Sequence, residues 1–473
     1  MYHFVMEVNF VNKTVDEFVL VNSNKLFDAA SNLVKIKSVK SQPAGDGKPF
    51  GEGIAKALEA ALNMGKQWGF NVKNIDGYAG HIEYGTKGKL FAVLGHLDVV
   101  PEGDGWTVDP YGGIIKDGYL WGRGSSDDKG PTVAAIFALK AVKESRINPK
   151  NRIRIILGCD EESGWEGVKH YFEKEEIPIY AVTPDANFPI IYAEKGIINY
   201  TITQHLHKNK DTQVVLLKGG EASNMVPQEA LAVLKPVREE ILEKLKEFTP
   251  QNGAKVFWNI DGDELKIKIT GKSAHGSKPQ TGVNAISALL DFLRTIDINC
   301  EDLSTFLRTI FAKIGYETDG TSLRIAGTDC IAGPLTVNLG TLRMDPEKIT
   351  AVINIRYPVF YSETMLTKQI KEALKPLQVE PQNHLAPLFV SPDSELIKIL
   401  SEIYTDVTGQ KAELLTTGGG TYARAVPCGV AFGPLLPGRL ETEHQPDERI
   451  ALDDLLLVAR IYAQLFYKIM TEW

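Results

Sequence analysis

The run Leu90 to Leu94 (LFAVL) is apolar at every position and continues through Gly95 into His96, Leu97 and Asp98. A short, unbroken apolar run reads as a buried strand. Around it, helix and strand patterns alternate. Ile54 to Trp68 reads as a helix with Ala57, Leu58, Ala61, Leu62 and Met64 on its apolar side. Pro131 to Glu144 reads as a second helix, with proline near the N-terminal end where it is tolerated. Arg152 to Leu157 reads as a strand, and Trp165 to Glu176 as a helix. This alternation predicts an α/β domain, a mixed sheet with helices on both faces.

From about Lys195 the style changes. Short alternating strands such as Glu264 to Thr270 and Thr336 to Leu342 are interleaved with helices such as Asn284 to Ile296. That mixture predicts an inserted α+β domain. The first style returns after about His384, with helices over Ser394 to Val407 and Leu452 to Met470. The expected organisation is a catalytic domain built from 1–194 and 384–473, with 195–383 inserted as a lid. A length of 473 residues fits two such domains.

The net charge of −8 argues against nonspecific nucleic-acid binding, and no long basic run is present. No window approaches the ~20 apolar residues of a membrane span. The start of the chain, MYHFVMEVNFVNKTVDEF, lacks the basic opening and unbroken apolar stretch of a signal peptide. Cys159, Cys300, Cys330 and Cys428 form no CxxC motif, so the chain reads as reduced and cytoplasmic.

Residues two apart on a strand share a face, so His96 and Asp98 project together. His96 reads either as a metal ligand oriented by Asp98 or as a surface histidine at a strand end. In GRGSSDDKGP, Asp127 and Asp128 are costly neighbours unless a cation neutralises them; the plainer reading is a helix N-cap. In LGCDEESGW, Glu161 and Glu162 divide between metal binding and general-base work, or form an acidic first helical turn. Asp185 in VTPDANFP and His444 in LETEHQPDE complete the set. Nitrogen and oxygen donors at strand ends, without thiolates, suit zinc, manganese or cobalt.

These blocks, in this order, resemble the dinuclear metallopeptidases that include aminoacylase, glutamate carboxypeptidase, succinyl-diaminopimelate desuccinylase and carnosinase. The resemblance rests on HLDVVPEG, GRGSSDDKGP, DEESGW, TPDANFP, SAHGSKPQ and TEHQPDE. The long middle region, with NMVPQEA and INIRYP, is most similar to the bacterial peptidase V dipeptidases. Residues 1 to 15 extend beyond what the resemblance needs.

The resemblance implies two divalent metal ions, zinc foremost. His96 and Asp185 would hold one, Glu162 and His444 the other, with Asp127 bridging. A cis peptide would join Asp127 to Asp128. Glu161 would be the general base and Asp98 would orient His96. The lid would supply His275 to polarise the scissile carbonyl, and Asn224 and Arg356 to bind the substrate. A mid-strand arginine such as Arg356 needs an anionic partner, either a substrate carboxylate or an internal acid. TTGGGTYAR resembles the family's substrate-binding turn, which would assign Gly420 and Thr421 to the carboxylate; the plainer reading is a flexible tight turn.

The function so implied is hydrolysis of Xaa-Xaa dipeptides by a monomer whose partner is the dipeptide, with neither nucleic acid nor membrane involved. The competing readings are an N-acyl amino acid deacylase with the same core and a metal-dependent binding protein that has lost catalysis. The presence of Glu161 and of every ligand residue speaks against the latter.

Overall fold

A computed structural model of the chain describes residues 12–207 and 213–473. Residues 1–11, most of the N-terminal extension, lie outside the described residues. The chain divides into two compact units. Of the described residues, one contains 12–192, Val390–Leu415 and Thr421–Trp473; the other contains 193–207, 213–389 and Thr416–Gly420. The second unit extends beyond position 383 to Phe389, and Leu388–Phe389 pairs with Glu194 and Ala193. Short-range patterning carries no trace of such a pairing.

The first unit is built on a mixed sheet. Its order is Asn71–Ile75, Ala79–Tyr84, Arg152–Gly158, Leu90–His96, Tyr180–Thr183, Gly429–Ala431 and Ile190–Glu194, the last with only its first three residues in this unit. The four strands from Arg152–Gly158 to Gly429–Ala431 run parallel, and the flanking pairings are antiparallel. Every residue of Leu90–His96 is buried. Ala92 and Leu94 join a cluster with Val168, Tyr171 and Tyr422, on the face covered by the helix Glu166–Lys174. The opposite face meets the helices Glu52–Gln67 and Lys129–Glu144. Lys129–Glu144 is buried nearly all round because Leu452–Thr471 packs on its outer side. The expected mixed sheet with helices on both faces is thus present.

In a parallel arrangement the carboxyl ends of the strands share one edge, where open α/β sheets place their sites. Here that edge carries His96, the segment 159–162 after Gly158, and Asp185 just beyond Thr183. A small sheet of Ile114–Lys116, Tyr119–Trp121 and Arg449–Ala451 pairs Trp121 with Arg449. It therefore brings together the loop that follows Trp121 and the loop that precedes Arg449.

The second unit is an antiparallel sheet with its own helices and its own core, the expected α+β composition. Its order is Lys255–Asp261, Glu264–Thr270, Glu229–Leu234, Val214–Gly219, Thr336–Met344, Lys348–Tyr357, Gly196–His205 and Gln378–Leu385. The helix Ala285–Leu293 is buried along its whole length against this sheet.

Candidate active site

His96 ends its strand with the imidazole between two partners. Nδ1 lies 2.9 Å from the main-chain carbonyl of Asp98, and Nε2 lies 2.9 Å from Asp127 Oδ1. Asp185 Oδ2 stands 3.8 Å from the same Nε2. The other oxygen of Asp127, Oδ2, is 3.0 Å from His444 Nε2, which is also 3.2 Å from Glu162 Oε1. One carboxylate thus faces two imidazoles, one with each oxygen. The peptide bond between Asp127 and Asp128 is cis.

The Asp98 carboxylate lies 3.6 Å from His96 Nδ1, so its main-chain carbonyl is the nearer partner of the ring. Its two oxygens instead accept the peptide N–H groups of Glu161 and Glu162, each at 3.1 Å. Asp160, buried beside them, does a different job: it accepts the N–H of Glu166 at 3.0 Å, at the start of the next helix. The acidic run therefore precedes the helix rather than forming its first turn, leaving Glu161 and Glu162 for the cluster. Asp128 occupies the N-cap position of Lys129–Glu144, but its Oδ2 accepts the His96 N–H and the Thr132 hydroxyl.

Like charges crowded away from water resist ionisation. Burial, reinforced by Asp127, raises Glu162 to about 7 and Asp185 to about 6. Burial and then Asp185 push Glu161 well above the carboxylate range. Desolvation opposes charge on His444, whose side chain stays 55% exposed, yet Asp127 and Glu162 raise it to about 11. His96 is likewise raised, against its burial, chiefly by Asp127 and Asp185. The groups hold protons between them where cations would hold them better.

In the second unit the expected lid residues form a connected set. Arg356, buried on Lys348–Tyr357, donates from Nε to Asn354 Oδ1 at 2.8 Å and from Nη1 to the Gly418 carbonyl at 2.9 Å. Gly418 lies so close to Ser277 that a Cβ there would come within 2.8 Å of the serine Cβ. The Ser277 hydroxyl is 2.6 Å from His275 Nδ1. Gly276 donates its N–H to the Asn224 carbonyl at 2.6 Å, and Met225 bridges His275. His275 itself is exposed. Gly420 falls in this unit and Thr421 in the first, where Thr421 caps the 3-10 turn Tyr422–Ala425.

Residues 92–468 match the model of peptidase family M20/M25/M40. The chain belongs to this family. It is an enzyme, a metal-dependent peptidase. A relative from Bacillus subtilis (strain 168), named "Putative dipeptidase YtjP", is 41% identical over 457 residues, covering 95% of this chain and 98% of the relative. A "Putative dipeptidase" from Staphylococcus epidermidis (strain ATCC 12228 / FDA PCI 1200) is 34% identical over 471 residues, covering 96% of this chain and 99% of the relative. Among solved structures, human carnosine dipeptidase 1 superposes with a TM-score of 0.58 at 16% identity, over 97% of this chain and 99% of that one. The dipeptidase Dug1p from Saccharomyces cerevisiae gives 0.58 at 15% identity, over 99% and 100%. At these identities the structural likeness concerns the fold alone.

The donor set of this M20/M25/M40 peptidase fits divalent cations. His96, Asp127 and Glu162 offer ligand atoms within 4.8 Å of one another, as do His96, Glu161 and Asp185. All are nitrogen or carboxylate oxygen, the donors of a catalytic rather than a structural zinc site.

Sequence reasoning missed several buried groups around the cluster. Glu448 and Arg123 form an ion pair of 2.7 Å with both side chains out of solvent. Among the described residues, the Asp128 Oδ1 atom and the Tyr422 hydroxyl are buried without a hydrogen-bond partner. Arg123, Asp128 and Tyr422 lie inside quoted motifs, and so does Glu448, the last residue of TEHQPDE. That proximity was the available signal.

Proposed function

We propose that this peptidase is a dinuclear, zinc-dependent dipeptidase that cleaves Xaa-Xaa dipeptides, manganese or cobalt being accepted by the same donors. The observation that supports this reading most is the Asp127 carboxylate, set between the imidazoles of His96 and His444 at 2.9 and 3.0 Å. Such a carboxylate suits a bridging ligand. His96 and Asp185 would complete one site, Glu162 and His444 the other. When bound, the ions supply Lewis acidity, polarising a carbonyl and acidifying water.

The chain's own residues divide the remaining work. Glu161 takes a proton from the attacking water and returns it to the leaving amine. Its raised proton affinity suits that exchange. Asp98 holds Glu161 in place through its backbone and fixes the His96 ring through its carbonyl. His275 donates to the carbonyl oxygen as it becomes anionic. Arg356 pairs with the substrate's C-terminal carboxylate, assisted by Asn224, Gly420 and Thr421. Anchoring that carboxylate favours substrates with a free C-terminus close to the scissile bond. A monomer is the assembly proposed. All four cysteines are free, in keeping with a cytoplasmic enzyme.

The test is hydrolysis of β-Ala-His, Ala-Ala, Leu-Leu, a tripeptide, N-acetyl-arginine and N-succinyl-diaminopimelate by zinc- and manganese-loaded protein, with Glu161→Ala as control. Dipeptide cleavage lost in the control is expected. Cleavage of the acylated compounds alone would overturn the substrate assignment.

A further inference from the structure

Glu448 is fully buried, and its ionic partner is Arg123, 2.7 Å away through Oε2. Its other oxygen, Oε1, accepts the peptide N–H groups of Gly124 at 3.0 Å, Ser126 at 3.0 Å and Asp127 at 3.2 Å, together with the Ser126 hydroxyl at 3.1 Å. Its own carbonyl accepts the Gly122 N–H at 2.9 Å. All these donors come from the loop that ends in Asp127. A buried carboxylate is tolerated only when its lone pairs are answered, and this one loop answers them.

The same glutamate ends the loop that carries His444. That loop is shaped: His444 and Asp447 both adopt left-handed backbone, each at φ 60°. Its far side is pinned by Asp447, which accepts the Thr107 N–H at 2.8 Å. The two loops leave paired strands, Tyr119–Trp121 and Arg449–Ala451. Glu448 therefore sits where the mutual placement of Asp127 and His444 is decided. The strand pairing fixes the loop bases, and the carboxylate gathers the peptide groups next to the ligand.

We propose that Glu448, the last residue of TEHQPDE and one given no role there, is the positioning residue that sets Asp127 against His444, so that the cation affinity of that pair depends on its carboxylate. The proposal rests on the reading of the cluster as a metal centre. Glutamine at 448 must turn an amide N–H₂ either toward the Arg123 guanidinium or toward the four donors at Oε1. Either way a donor faces a donor, and the loop loses part of its template.

The experiment titrates Zn²⁺ into chelator-stripped full-length protein by calorimetry and records the visible absorption of the Co²⁺ form, which reports ligand geometry. Wild type is compared with Glu448→Gln and with Asn151→Ala. Asn151 holds the Ile469 and Trp473 carbonyls at the opposite end of Arg152–Gly158, so its loss costs stability without touching the cluster. Expected are two ions for wild type and for Asn151→Ala, with at least tenfold weaker binding of one ion and an altered cobalt spectrum for Glu448→Gln. Wild-type affinities and an unchanged spectrum in Glu448→Gln would overturn the proposal alone. A wild type that takes up fewer than two ions would overturn the metal-centre reading and the proposal with it. Should Glu448→Gln fail to fold, Ser126→Ala removes one donor to Oε1 and spares the backbone; two- to fivefold weaker binding is expected, and unchanged binding overturns the proposal.

Discussion

The Asp98 carboxylate holds the peptide N–H of Glu161 at 3.1 Å, although Asp98 lies beside His96 in sequence. Its second oxygen holds Glu162 in the same way, so one side chain fixes the backbone of two adjacent carboxylates. Asp98→Asn keeps the shape but replaces one acceptor with a donor. It is expected to lower kcat by about 10- to 100-fold, the usual cost of losing a partner that orients a catalytic centre. KM changes little. Steady-state kinetics on a dipeptide checks this, and a kcat within twofold of wild type would show that the clamp is dispensable.

Glu161→Ala removes the proton acceptor itself. The expected loss in kcat is about 10²- to 10⁴-fold, the range general acid–base groups contribute. Metal content should stay at the wild-type level by elemental analysis. Loss of an ion along with activity would move Glu161 into the ligand set, beside His96 and Asp185 with which it already groups.

Arg356→Lys keeps the charge but loses the planar fork that donates to Asn354 and Gly418. For dipeptides kcat/KM is expected to fall by about 10- to 100-fold, the worth of a charge-assisted hydrogen bond. C-terminal amides of the same dipeptides are expected to be poor substrates for wild type and to lose nothing further. An equal loss on acid and amide would remove Arg356 from carboxylate recognition.

Ion binding is expected to release protons. In the cation-free protein Glu162 is raised to about 7 and Asp185 to about 6, so each holds a proton below that value. A cation needs both as carboxylates, and it must also displace the proton that His444, raised to about 11, carries throughout this range. Affinity therefore rises with pH and weakens as pH falls through about 7 to about 6. Calorimetry at pH 6 in buffers of different ionisation enthalpy measures the release; zero protons would contradict the raised carboxylates.

Leu94 is fully buried two residues before His96, in the cluster with Val168, Tyr171 and Tyr422. Leu94→Ala is expected to cost about 2–5 kcal/mol of stability by denaturant unfolding, through lost burial and a residual cavity. A cost below about 1 kcal/mol would mean that the strand is not anchored by this packing.

The sequence alone determined which segments become strands and helices and which side chains stand at the strand ends. Leu90–His96 is legible because complete burial demands an unbroken apolar run, and Lys129–Glu144 because a helix covered on both sides is apolar nearly all round. His96, Glu161, Glu162 and Asp185 are legible because carboxylates and imidazoles at the ends of apolar strands are rarely there for packing, whereas Asp127 and His444, which lie in loops, are legible through the motifs around them. Tertiary structure decided the rest. Asp127 and Glu448 are 321 residues apart and meet at 3.2 Å, because Tyr119–Trp121 pairs with Arg449–Ala451. Asp98 turns from its neighbour His96 to the backbone of Glu161 because parallel strands set their carboxyl ends side by side. Periodicity reports which face of an element is apolar, whereas the partner of a buried charge depends on which distant segments the sheet order makes adjacent.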